Sequence, residues 1–187
     1  MPEVRFVPLR PHHVQGIKLQ PSQGRPLGFD YEPGPEEIRR MCEGTIAWAA
    51  LEGDEWNIRV AACFGVVETF PGMHATGWAM LADGIGRAHL AVSRFARQCM
   101  AECQLPRVEL LARCHDVEGL IAQHPGLDPG QIVALATAEP TPEIRWGMML
   151  GFSPAHVLRC YGAIGQSVML MERLSPQFRG RALREAA

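Results

Sequence analysis

"LADGIGRAHLAVSRF", residues 81–95, decides the fold. Two glycines, Gly84 and Gly86, precede a run in which Ile85, Ala88, His89, Val92, Phe95, Ala96, Cys99, Met100 and Cys103 recur every three or four residues. That spacing is one face of a helix and predicts a helix over about 85–103, with Arg87, Arg94 and Arg97 on its other faces. The preceding "ATGWAMLA" reads as a strand. Strand, Gly-x-Gly, helix is an arrangement that can hold a phosphate, because N–H groups of a helix's first turn have no partner within the helix. It is equally the way an ordinary turn enters a helix.

Upstream, "EVRFVPLR" alternates apolar and polar residues and predicts a first strand, and "PHHVQGIKL" a short helix opened by proline. Residues 20–35 are dense in glycine and proline and read as a loop. "PEEIRRMCEG" predicts a helix with acids in its first turn, arginines later and Gly44 as its stop. "TIAWAALEG", "NIRVAACFGVVETF" and "ATGWAMLA" follow as three strands joined by short turns, with Gly65 marking a bulge.

Downstream, "RVELLARCHD" predicts another strand and "VEGLIAQH" a short helix. Residues 124–142 form an excursion punctuated by proline and glycine around a helix-like centre. "PEIRWGMMLGF" is a helix ended by Gly151, and "AHVLRCYG" and "QSVMLMERL" are strands joined at "AIGQ". The expected order is β-α-α-β-β-β-α-β-α-β-β, an α+β or mixed α/β layout around a mostly antiparallel sheet. One domain spans residues 1–174, followed by an arginine-rich tail over 175–187.

With 187 residues, 47% hydrophobic and 20% charged, the chain has the composition of a globular domain. A net charge of −2 gives no global signal for nucleic-acid binding. Lys18 is the only lysine beside an arginine-rich remainder. Six cysteines form no Cys-x-x-Cys pair, so neither a zinc site nor a disulfide framework is expected. Cys99 and Cys103 share one helix face and read as small buried hydrophobes. No apolar run reaches membrane-spanning length and "MPEVRFVPLR" has no secretory pattern, so the expectation is a soluble protein of a reducing cytoplasm.

The order of elements, with "RWGMMLGF" before a strand, resembles the GNAT N-acetyltransferase superfamily. Leu150, Gly151 and Phe152 stand where that family has a helix ending in Leu-Gly-Phe, and "WAMLADGIGRAHLAV" where it has its fourth strand, pyrophosphate loop and third helix. The pattern is most similar to a divergent branch found in tailed bacteriophages, on Trp78, Arg145, Trp146 and Tyr161-Gly162. The resemblance implies a twisted, mostly antiparallel sheet flanked by helices. It also implies acetyl-CoA as cofactor, held by Gly84, Ile85, Gly86 and Arg87, with no metal. Two family markers are missing: Leu81 replaces the polar residue that starts the pyrophosphate loop, and Gly147 replaces a tyrosine that protonates the departing thiolate. Asp83 adds a negative charge at the loop, which Arg87 is positioned to offset.

Acetyl transfer needs a base for the amine and an acid for the thiolate. Glu68, ending a strand in "VVETF", is the candidate base, and Tyr161 the candidate substitute acid. Cys114 and His115 in "ARCHD" point to opposite faces of a strand and make no dyad. His89 reads as a core histidine, and Trp48, Trp56, Trp78 and Trp146 as core or interface aromatics. In the tail, Phe178, Arg179, Arg181 and Arg184 suit docking on an acidic partner. Two functions follow. One is a GNAT-fold phage protein with degenerate or absent catalysis, acting through head or portal contacts in the virion or infected cytoplasm, alone or as a homo-oligomer. The other is an active acetyl-CoA-dependent N-acyltransferase.

Overall fold

The computed structural model describes residues 3–24, 34–43, 45–54, 56–161 and 165–175. Seven strands form one sheet in the order β1-β2-β3-β4-β5-β7-β6. They are β1 (Glu3–Pro8), β2 (Thr45–Gly53), β3 (Ile58–Phe70), β4 (His74–Leu81), β5 (Arg107–Arg113), β6 (Ser153–Leu158) and β7 (Val168–Leu174). The helices are α1 (Pro11–Gly16), α2 (Pro21–Gly24), α3 (Pro35–Cys42), α4 (Ala88–Glu102), α5 (Glu118–Gln123), α6 (Pro129–Ala138) and α7 (Pro142–Met149).

Strand alternation sorts the side chains into two cores on opposite faces. Phe64, Val66, Ala75, Val108, Met169 and Met171 face α4 and α7, while Ala49, Cys63 and Met80 face α1 and α3. Phe95 of α4 anchors the first core, stacked on Phe6 at 4.0 Å and edge-on to Trp48 at 5.3 Å. Burial of Ala88, Val92 and Ala96 in that core holds α4 against the sheet.

All neighbouring strands are antiparallel except β4 and β5. These run parallel and pair only at His74↔Arg107, Ala75↔Val108 and Thr76↔Glu109. Beyond Thr76 they diverge, so Gly77–Leu81 and Leu110–Arg113 face each other across a fork. At the closed end the Arg107 N–H donates to the Met73 carbonyl at 3.2 Å, and within the β5–β7 side Arg107 Nη2 lies 2.5 Å from Glu109 Oε1 and 3.0 Å from Glu172 Oε2. His74 Nε2 is 3.1 Å from Glu109 Oε2 but not aligned for a hydrogen bond. The open end is pinned by Thr141, which donates from Oγ1 to the Arg113 carbonyl at 2.6 Å and accepts from the Ile144 N–H, capping α7.

Several expected boundaries move. α4 begins at Ala88 rather than Ile85, because the preceding residues form separate turns. Where one loop was expected over 20–35, α2 occupies Pro21–Gly24, and residues 25–33 lie outside those described. Three helices cross from β5 to β6; the middle one, α6, is fixed by reciprocal capping between Asp128 and Gln131 at 2.9 Å in each direction. β5 ends at Arg113, and β6 runs Ser153–Leu158, starting and stopping earlier than its apolar pattern suggested. Gly65 is not a bulge: it pairs regularly with Ala47 and Trp78, and the register shifts fall at Ala50/Leu51 and Glu68/Phe70. A Cβ at Gly65 would lie 2.6 Å from both Ala47 Cβ and the Ile46 carbonyl oxygen, so glycine there permits close strand approach.

Candidate functional site

The fork opens into a cleft of about 1090 Å³. Gly77–Leu81 and Leu110–Arg113 form its edges, and its walls reach both cores: Met41, Trp78 and Met80 on the α1–α3 side, Ala96, Trp146 and Leu150 on the α4–α7 side. The lining is mostly apolar, yet three polar atoms in it are buried without a partner among the described residues: Trp48 Nε1, Trp78 Nε1 and Glu143 Oε2. A buried polar group left unpaired costs about 1–3 kcal/mol.

The Gly84–Arg87 turn stands past the end of β4. Gly84 has φ +64° and Gly86 φ +50°, left-handed values that glycine adopts without strain. The Ile85 N–H donates to the Ala82 carbonyl, and the Ala88, His89 and Leu90 N–H groups donate to carbonyls of the turn itself. The N–H groups of Gly84, Gly86 and Arg87 have no acceptor among the described residues. Alternating glycines with unpaired N–H groups make an anion-binding concavity.

Two cations that no local sequence pattern places here also meet at this turn. The backbone at Lys18–Leu19 bonds to Asp83 and Ala82, which brings Lys18 Nζ to 3.3 Å from Asp83 Oδ2. Lys18 therefore pairs with Asp83. Both side chains are exposed, so solvent screens the pair and its worth is small. Arg59 donates from Nη2 to the Gly84 carbonyl at 3.0 Å and pairs with Glu52 at 2.5 Å, which fixes the turn to β3.

Across the cleft, Trp146 of α7 donates from Nε1 to Ser93 Oγ at 2.9 Å, and Ser93 donates to the His89 carbonyl at 2.7 Å. This chain ties α7 to α4. His89 is not a core residue: it lies half-buried on the cleft wall, its ring 5.7 Å from Trp146, and burial pushes its pKa below the ordinary value. Beside them, Arg113 Nη2 is 3.4 Å from Glu143 Oε1.

Glu68 lines the cleft beside the fork's closed end, paired with Ala75, and one carboxylate oxygen accepts the Gly72 N–H at 2.6 Å. Tyr161 is elsewhere: it is 59% exposed past β6, an edge strand separated from the fork by β7, and it does not line the cleft. At Gly147, where the resemblance implies a tyrosine, a Cβ would meet Met171 Sδ at 2.7 Å and Cε at 3.0 Å, so the end of the Met171 side chain occupies that space. Trp56 is 92% exposed and belongs to no core, whereas Trp48, Trp78 and Trp146 all line the cleft. Cys114 is buried and His115 exposed, pointing apart. Among the described residues no three metal-ligating side chains cluster, and no helix is long and apolar enough to cross a membrane. Phe178, Arg179, Arg181 and Arg184 lie outside the described residues.

No protein-family model and no curated protein sequence matches the chain. Solved structures do. An aminoglycoside 6'-N-acetyltransferase from Enterococcus faecium aligns over 91% of this chain and 96% of its own, with a TM-score of 0.64 at 13% identity. Ard1 from Thermoplasma volcanium aligns over 91% and 97%, with a TM-score of 0.57 at 12% identity. A chimera of Vibrio cholerae spermidine N-acetyltransferase SpeG aligns over 95% and 99%, with a TM-score of 0.51 at 13% identity. The chain has the GNAT acetyltransferase fold. Within this fold, the parallel pair β4–β5 frames the cleft, and the turn at Gly84–Arg87 follows the end of β4 next to it in sequence.

Proposed function

We propose that the chain binds an acyl-CoA in the β4–β5 cleft and acts as an acyl-CoA-dependent N-acyltransferase without a tyrosine acid at position 147. The observation that carries this is the turn at the head of the fork, where left-handed Gly84 and Gly86 present unpaired N–H groups beside Arg59, Arg87 and Lys18.

Length fits as well as charge. From Leu81 back to Thr76 the strand covers about 17 Å at its usual rise. A pantetheine arm has about thirteen backbone bonds between phosphorus and sulfur, or roughly 15 Å extended at the per-bond advance of a peptide chain. An acyl-CoA with its diphosphate beyond the end of β4, at Gly84–Arg87, would extend its thioester down β4 towards Gly77, where the fork closes. The diphosphate would be held by the Gly84, Gly86 and Arg87 N–H groups and by the Arg87 side chain. Coenzyme A, when bound, supplies the acyl group as a thioester.

The chain's own residues divide the remaining work. Glu68, oriented by the Gly72 N–H, has a second oxygen free to take a proton from an acceptor amine. Trp146, held by Ser93, and His89 shield the cleft from the side of α4 and α7. No tyrosine reaches the cleft among the described residues, and water can supply the thiolate's proton. A thiol of ordinary pKa near 8.5 can leave that way, at a cost of about 10²–10⁴ in rate.

The lack of a tyrosine at position 147 leaves a second reading: a protein that kept the fold without catalysis and makes contacts with phage head or portal proteins through its arginine-rich tail. Calorimetric titration with acetyl-CoA separates the two. Micromolar binding that is lost in Gly86→Glu, with the variant's circular dichroism unchanged, supports the acyltransferase reading. No heat from the folded protein at millimolar ligand refutes it and leaves the second.

A further inference from the structure

We propose that the cleft is built for an acyl chain longer than acetyl, lodged beyond the fork between the C-terminal half of α4 and the sheet. This inference rests on the acyl-CoA reading and names the donor class. The cleft does not stop where the thioester would lie. Its wall continues along α4 through Ala96, Cys99, Met100 and Cys103 to Leu105, all apolar and no more than half-exposed.

The geometry leaves room for a chain. From Gly86 to Cys103 the helix and its flanks advance about 25 Å at the helical rise. A pantetheine arm of roughly 15 Å leaves about 10 Å, the length of some eight methylenes at the same advance per bond. An acetyl group would fill only the first of that space. The polar residues of this part of the wall, Glu102 and Gln104, are exposed at its rim. Burial holds the Cys99 thiol's pKa above its ordinary value, so it presents an uncharged surface.

Titration of the full chain with CoA, acetyl-CoA and octanoyl-CoA tests this. Each buried methylene is worth about fourfold in affinity, so even partial burial makes octanoyl-CoA bind at least about tenfold tighter than acetyl-CoA. Cys103→Phe should bring the octanoyl-to-acetyl ratio towards one. Gly86→Glu should weaken both ligands together, showing that the chain enters from the same turn. Equal affinity for acetyl- and octanoyl-CoA in the wild type would overturn the inference and leave the acyl-CoA reading intact. Octanoyl-CoA binding that survives Gly86→Glu at full strength would overturn it too, by placing the chain elsewhere. Failure of every CoA compound to bind would instead overturn the acyl-CoA reading itself.

Discussion

Replacing Gly65 by alanine should destabilise the protein by about 2 kcal/mol, although alanine ordinarily improves on glycine in a strand. The added Cβ would lie 2.6 Å from Ala47 Cβ and from the Ile46 carbonyl oxygen, and 2.8 Å from Ala47 Cα. Carbon atoms in contact prefer about 3.5–4.0 Å, so β2 would have to retreat by roughly 1 Å. Two of the three atoms are backbone and cannot rotate away. Overpacking of this kind costs about 1–3 kcal/mol, and the backbone contacts place the cost near the upper end. The entropy saved on replacing glycine returns about 0.5–1 kcal/mol. For a chain of 187 residues, the net loss corresponds to a fall in Tm of roughly 4–8 °C. Gly119→Ala is the control: nothing lies within 4 Å of its added Cβ, and the gain should be about 0.4–1 kcal/mol. Urea unfolding followed by circular dichroism gives both values. If Gly65→Ala is neutral or stabilising, the strands are not as close as described, and the position of Trp78 opposite Gly65 goes with them.

Two further measurements probe burial. The pKa of the Cys63 thiol is pushed up to about 12, first by burial and then by Cys42, and Cys114 is also raised by burial, whereas Cys160 is exposed. Iodoacetamide at pH 8, read by peptide mass spectrometry, should label Cys160 first and reach Cys63 and Cys114 only after unfolding; early native labelling of Cys63 would contradict the packing. His13 and His89 are both held below the ordinary histidine value, chiefly by burial, so the unfolded chain binds more protons than the folded one below about pH 6.5. Their cost to stability is absent above that pH and grows as pH falls towards their folded values. The urea midpoint should drop between pH 7 and pH 5, and less so in the double variant His13→Gln/His89→Gln. The amide introduced at the first position can still accept the Arg10 N–H that His13 Nδ1 accepts at 3.1 Å. An undiminished drop would locate the acid sensitivity in other groups.

Much of the fold was legible because local signals and tertiary structure agree. The period of α4, the alternation in β1, the proline and glycine punctuation and the Leu150-Gly151-Phe152 stop all point to elements that exist. Gly65 misled because a glycine inside a strand looks alike whether it relieves a bulge or admits a neighbouring backbone, and only the register separates them. The helices between β5 and β6 blurred together because α5 and α6 lean on capping by Asp116 and Asp128 and on tertiary contacts more than on periodicity. At the site, Gly84 and Gly86 announced themselves. Lys18 and Arg59 did not, since both reach the turn from segments distant in sequence. Tyr161 was attractive by residue type alone, and the order of β5, β7 and β6 carries it away from the cleft.

With β4 and β5 sharing only three residue pairs, the sheet is two panels on a short hinge. Each panel holds its own antiparallel ladder, and the Arg107 N–H, donating to the Met73 carbonyl beside those three pairs, acts as the latch. An extended molecule inserted above that latch would stand where a strand's backbone otherwise would, offering amide groups to the diverging edges of both panels. Cohesion across the middle of the sheet then becomes a property of the guest as much as of the host.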